Sequence, residues 1–207
     1  EIVEGMLELA RTLHDLHKRN FHHRDIKPAN ILFLNERLYL SDFGLVKYPK
    51  RVDITPAGGD VGPKFTMAPE MRRYANQADG EAADIYSFAK TLWIAIVGDM
   101  KCFDGQYSPL SIISINSACE GLYTKSLQDL LTECTDNSPE NRPKMGSVIS
   151  RVEDWIRINN DFHEQNLTEW FDLQNKLFPA GSPDSATWKK NEDIITVLNE
   201  IAKIDSL

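Results

Sequence analysis

The chain has 207 residues, of which 42% are hydrophobic and 26% charged, with a formal net charge of −8. These values suit one well-buried domain with a small appendage, and the acidic balance argues against a nucleic-acid partner, because phosphate binding needs a basic face. The longest wholly apolar run, Leu92 to Val97, is far short of a bilayer span, so no membrane partner is evident. Cys102, Cys119 and Cys134 form no CxxC pair. They read as reduced thiols of a cytoplasmic protein, not as a disulfide framework. The chain opens on Glu1 with no visible signal peptide, which predicts a piece excised from a longer parent whose targeting is unknown.

In chain order, Ile2, Val3, Met6, Leu7, Leu9, Ala10, Leu13 and Leu16 recur at helical spacing and predict an amphipathic helix ending near Lys18, with Asn20 as a left-handed stop. Ile31 to Leu34 and Leu38 to Leu40 flank Asn35-Glu36 and predict a small hairpin. From Asp42 to Glu70 the sequence is rich in Gly and Pro without periodicity, which predicts a long loop. Ala82 to Val97 is apolar on nearly every side of a helix, as a helix in the middle of a domain would be, and Gly98 closes it. Ser126-Leu127-Gln128-Asp129 has capping-box spacing ahead of Leu130 and Leu131. Met145, Val148, Ile149, Val152, Trp155 and Ile156 mark a further helix after Pro143. Beyond it, Trp170, Phe171, Leu177 and Phe178 suggest one helix, residues 179–183 a break, and Ile194, Ile195, Leu198, Ile201 and Ala202 another.

The chemistry concentrates in His22-His23-Arg24-Asp25-Ile26-Lys27-Pro28-Ala29-Asn30, followed by Asp42-Phe43-Gly44. Two carboxylates, a lysine and an amide at this spacing could hold a metal-bound triphosphate beside a proton acceptor. Together these motifs resemble the catalytic loop and metal-binding motif of eukaryotic-type protein kinases. The resemblance covers roughly residues 1–158 and is to the C-terminal, large lobe: a mainly α fold, a helical bundle around a buried central helix with a small β-hairpin near the catalytic loop. Residues 159–207 are expected to form a helical tail or extension, either packed on the lobe or offered to a partner.

The resemblance implies ATP and Mg²⁺ as cofactors and roles for particular residues. Asp25 matches the carboxylate that orients and deprotonates the substrate hydroxyl, and Lys27 the cation near the transferred phosphate. Asn30 and Asp42 match the metal ligands, and Leu32 the apolar floor under adenine. His23 and Phe43, with Gly44 beside them, match the packed spine and the motif around it. Asp84 matches the buried brace of the catalytic loop, and Glu70, in Ala68-Pro69-Glu70, matches the partner of a distant Arg142. Arg24 matches a cation that pairs with a phosphate on the loop, for which Thr55 is the candidate phosphosite and Thr66 the weaker one.

Competing readings are a metal cluster from His14, His17, His22 and His23, which lacks a cysteine partner, and a phosphate cradle at Gly58-Gly59, which lacks strand-to-helix context. Two departures from the family stand before its closing motif. Pro63 has no hydroxyl to bridge Asp25 and Lys27, and Thr66 replaces an aromatic residue. Lys27 favours a serine/threonine kinase acting on a protein substrate. The alternatives are a pseudokinase or scaffold and a kinase-like small-molecule phosphotransferase. No glycine-rich loop or strand lysine precedes His22, so the N-terminal lobe is expected from the same parent chain, and the fragment alone is expected to be inactive.

Overall fold

The structure is a computed structural model and describes residues 2–46, 65–75, 77–183 and 185–202. Its elements are α1 (Ile2–Lys18), β1 (Ile31–Leu34), β2 (Arg37–Leu40), α2 (Pro69–Tyr74), α3 (Gly80–Val97), α4 (Lys125–Cys134), α5 (Met145–Asn160), α6 (Phe162–Leu177) and α7 (Asn191–Ile201), with short 3-10 turns between them. The fold is mainly α, and its one sheet among the described residues is the antiparallel pair β1–β2.

The core forms where the apolar stripe of α1 meets α3 and α5. Met6, Leu9, Ala10 and Leu13 of α1 pack with Ile85, Phe88, Leu92 and Trp93 of α3 and with Val148, Val152 and Trp155 of α5. Helix α4 closes the bundle through Leu127, Leu130 and Leu131. Truncating one of these leucines to Ala would cost about 2–5 kcal/mol through lost transfer energy and a residual cavity. Helix α3 is the buried axis. Asp79 caps its start, accepting from Glu81 N at 2.9 Å and Ala82 N at 3.2 Å, and Gly98 ends it in a left-handed conformation with φ 77.

The hairpin aligns Ile31 with Leu40 and Leu34 with Arg37, which leaves Asn35 and Glu36 as a two-residue loop. Both have positive φ, 50 and 60, the mirror-image turn whose twist matches paired strands. At the other end of the ladder, Ser41 N donates to Asn30 O at 2.9 Å. The hairpin thus delivers Asn30 and Asp42 side by side.

Two local features differ from the sequence reading. The stretch from Asp42 to Glu70 does not stay irregular to its end: Pro69 opens α2, because proline at the first helical position lacks only an N–H that would have had no partner. Ser126 caps nothing. Helix α4 starts at Lys125 after Thr124, which is already in the right-handed region, so Ser126 lies inside the first turn with its hydroxyl buried. Thr124 there donates to Asn116 Oδ1 at 2.6 Å and accepts from Gln128 Nε2 at 2.8 Å. Helix α5 ends at Asn160, and α6 follows at once, with Asp161 capping it.

Helix α6 lies against α5 and buries Leu173, Gln165 and Glu169. Asp172 accepts from Tyr123 Oη at 2.6 Å and from Lys125 Nζ at 3.0 Å. Helix α7 packs on α6, where Lys176 and Glu200 pair at 2.6 Å, and leaves Ile194, Ile195 and Leu198 exposed. Among the described residues no helix is long and apolar enough to cross a membrane.

Candidate active site

The 22–30 loop is held from below by Asp84, which has no solvent exposure. Asp84 Oδ2 accepts from His23 N at 2.7 Å and meets His17 Nε2 at 2.9 Å, while Oδ1 accepts from Arg24 N at 2.7 Å. A carboxylate in an apolar interior needs such donors, and two of them are loop amides, so the loop's backbone is fixed relative to α3. Approach is close. A Cβ on Gly80 would fall 2.6 Å from the His22 ring, so glycine at this position lets α3 meet the loop. His22, partly buried there beside His17, is held below the usual histidine value, chiefly by desolvation.

This anchoring presents Asp25 inward. Its Oδ2 accepts from Lys27 Nζ at 2.8 Å and Asn30 Nδ2 at 2.9 Å, and its carbonyl accepts from the same amide at 2.8 Å. Asp25 Oδ1 is buried and, among the described residues, accepts no hydrogen bond. Arg24 stands in the left-handed region, φ 67, and its guanidinium donates to Ala75 O and lies 3.8 Å from Met71 Sδ. The loop is therefore also tied to α2.

Asp42 also has a left-handed backbone, φ 57, and its exposed carboxylate accepts from Gly44 N at 3.2 Å. Phe43 turns its ring edge to His23 with centroids 5.0 Å apart, and His23 Nε2 lies 3.1 Å from Ser41 O. Leu32 is exposed on β1 beside this cluster. The structure thus brings Asp25, Lys27 and Asn30 into one hydrogen-bonded knot, with Asp42 alongside and Leu32 on the adjoining hairpin.

Glu70 and Arg142 meet across the base in a forked pair, Nη1–Oε1 at 2.6 Å and Nη2–Oε2 at 3.0 Å. Arg142 also donates to Asp136 O and Ala82 O. Thr66 is buried and Phe65 exposed. Thr55, Gly58, Gly59 and Pro63 lie outside the described residues. Of the four histidines, His17 is committed to Asp84 with His22 beside it, His23 lies against Ser41 O and Phe43, and His14 lies beside Gly146. Among the described residues no group of three metal-ligating side chains forms.

Sequence reasoning passed over Lys90. It is fully buried in the middle of α3, with Nζ donating to Phe103 O at 2.7 Å and lying 3.5 Å from the Phe103 ring centroid and 5.3 Å from that of Tyr86. Burial pushes its amine down to about 8. The available signal was a single lysine among mostly apolar residues in the middle of the helix.

Residues 1–155 match the protein kinase domain. A protein kinase and PP2C-like domain-containing protein of Arabidopsis thaliana is 31% identical over 191 residues, covering 73% of this chain and 29% of that protein. A dual specificity protein kinase of Dictyostelium discoideum is 30% identical over 186 residues, covering 77% of this chain and 34% of its own length. A serine/threonine-protein kinase of Schizosaccharomyces pombe is 34% identical over 141 residues, with 65% and 39% covered. The chain therefore spans well under half the length of each of these relatives.

Proposed function

Since the chain belongs to the protein kinase domain family, we propose that it is the catalytic lobe of an ATP-dependent serine/threonine protein kinase, moving the γ-phosphate of Mg-ATP to a protein hydroxyl. The observation that carries this reading is the state of Asp25. One oxygen is pinned by Lys27 and Asn30, and the other is buried without a partner among the described residues. A desolvated oxygen of that kind suits an incoming hydroxyl, whose hydrogen bond it accepts and whose proton it takes as the oxygen attacks phosphorus.

The donor set fits the implied cofactors. Asn30 and Asp42 offer hard oxygen ligands of the kind Mg²⁺ takes, and the hairpin register sets them side by side. Bound Mg-ATP supplies the phosphoryl group and neutralises much of its charge. Lys27, already beside Asp25, adds a positive charge where the transferred group becomes more negative, and Leu32 gives the adenine an apolar surface. Names of relatives such as the S. pombe serine/threonine-protein kinase support the choice of hydroxyl. Phosphorylation of Thr55, paired with Arg24, belongs to the same reading as its means of activation.

The reading is tested with the full-length protein. Asp25→Asn is expected to lower kcat by about 10²–10⁴-fold with the fold intact. Asp42→Asn is expected to weaken Mg-nucleotide binding more than Asp25→Asn does. Near-normal turnover in both variants would reassign the site. The 207-residue chain alone is expected to give no steady ATP turnover, because no glycine-rich loop or strand lysine precedes His22.

A further inference from the structure

A fully buried lysine with no carboxylate in hydrogen-bond reach among the described residues is costly to keep, so what Lys90 holds is informative. Its ammonium ties α3 to the segment 102–107, through Phe103 O and the faces of Phe103 and Tyr86. Cys102 Sγ, 3.8 Å from Lys90 O, and Tyr86 Oη, donating to Gly105 O at 3.0 Å, close the same junction. The Tyr86 ring also carries the Arg142 guanidinium, 4.9 Å from its centroid. Arg142 grips Glu70 in the first turn of α2, and at the far end of α2 the Arg24 guanidinium holds Ala75 O. Helix α2 is thus strapped between the junction around Lys90 and the residue next to Asp25. Asn30 and Asp42 lie outside this chain of contacts, held by the hairpin and by Asp84's grip on the loop.

We propose that Lys90 is a positioning residue for Asp25, which in the phosphotransfer reading receives the hydroxyl of the protein substrate, by fixing α2 and segment 102–107 through the face of Tyr86. The proposal rests on the phosphotransfer reading above. It predicts a division of effects. The side of Asp25 that faces α2 depends on Lys90, and the side that faces Asn30 and Asp42 does not.

The test compares full-length wild type with Lys90→Met, which keeps the length and apolar stem, and Lys90→Gln, which keeps a donor. Initial rates are measured against a protein substrate and against ATP, and amide hydrogen exchange is followed on the same samples. Expected in Lys90→Met are a rise of about tenfold in KM for the protein substrate, the loss of one desolvated contact, with KM for ATP unchanged. Exchange should quicken at 102–107 and 69–75 but not at 31–40, and Lys90→Gln should recover part of both effects. A fall in kcat with both KM values unmoved, or exchange quickened across the whole chain, overturns the proposal. So does failure of both variants to fold, which would make Lys90 a requirement of the core alone. If wild type transfers no phosphate, the phosphotransfer reading fails by itself. The exchange arm then decides: paired release of 102–107 and 69–75 supports the coupling, and any other pattern overturns it.

Discussion

Helix α3 carries a fully buried aspartate and a fully buried lysine, and they are accommodated in opposite ways. Asp84 has a partner for each oxygen, two of them backbone amides of the 22–30 loop. Lys90 has one carbonyl and two ring faces, and burial lowers its amine to about 8. Where the chain can bend a loop so that amides converge, a carboxylate becomes a structural clamp. Lys90 has no such set of converging groups, and burial disfavours its charged form.

The sharpest way to break this comparison is Asp84→Ala. It strips the acceptor from buried amides of His23 and Arg24, and each orphaned donor costs about 1–3 kcal/mol. A total loss of about 4 kcal/mol is expected from urea unfolding; a loss below about 1 kcal/mol would mean that Asp84 is no clamp. Arg142→Ala should follow closely, at about 3 kcal/mol, because its enclosed guanidinium is shared by Glu70 and two carbonyls. A double-mutant cycle with Glu70→Ala should show clear coupling between the two positions.

The lysine half of the comparison is tested by pH. Folded Lys90 releases its proton near 8 and the unfolded chain near 10.5. Between those values the unfolded state binds more protons, so stability rises with pH. Cys102, Cys119 and Cys134 oppose this as pH approaches and passes their ordinary value of 9.0, because burial raises each folded thiol and the unfolded chain ionises first. The Lys90 contribution between about pH 8 and 9 is therefore read as the difference between wild type and Lys90→Met, in which wild type is expected to gain about 1 kcal/mol more over that unit. The smallest effect is reserved for an exposed pair: Lys144→Ala, breaking a contact with Glu81 at 3.0 Å, should change stability by about 0.5 kcal/mol or less and respond to salt.

Much of this molecule was legible in its residues. The apolar spacing of α1, the Asn35-Glu36 hairpin and the apolar residues on nearly every side of α3 each correspond to a buried face or a tight turn, and such elements leave a trace in the sequence. The polar cluster was legible through its spacing, since Asp25 and Asn30 meet within one short loop. What escaped was set by tertiary partners. Ser126 has the right letter for a cap, but Asn116 and Gln128 engage Thr124, and the helix starts before the serine. Helix α2 is too short to show a period. Lys90 was hidden because its neighbours in sequence are apolar, while Phe103, which satisfies it, comes after the helix has ended.

The packing of α1 on α5 has a consequence for how the molecule is made. The first helix of the chain finishes its burial only against Met145–Asn160, with Arg11 reaching Glu153 at 2.7 Å across the seam. At synthesis rates of roughly 5–20 residues per second, the ribosome needs on the order of 10–30 s to travel from one to the other. Throughout that interval Met6, Leu9 and Leu13 have no completed core to enter. The nascent chain thus keeps this apolar face without its α5 partner until that helix has been made, and a pause before residue 145 would lengthen the interval.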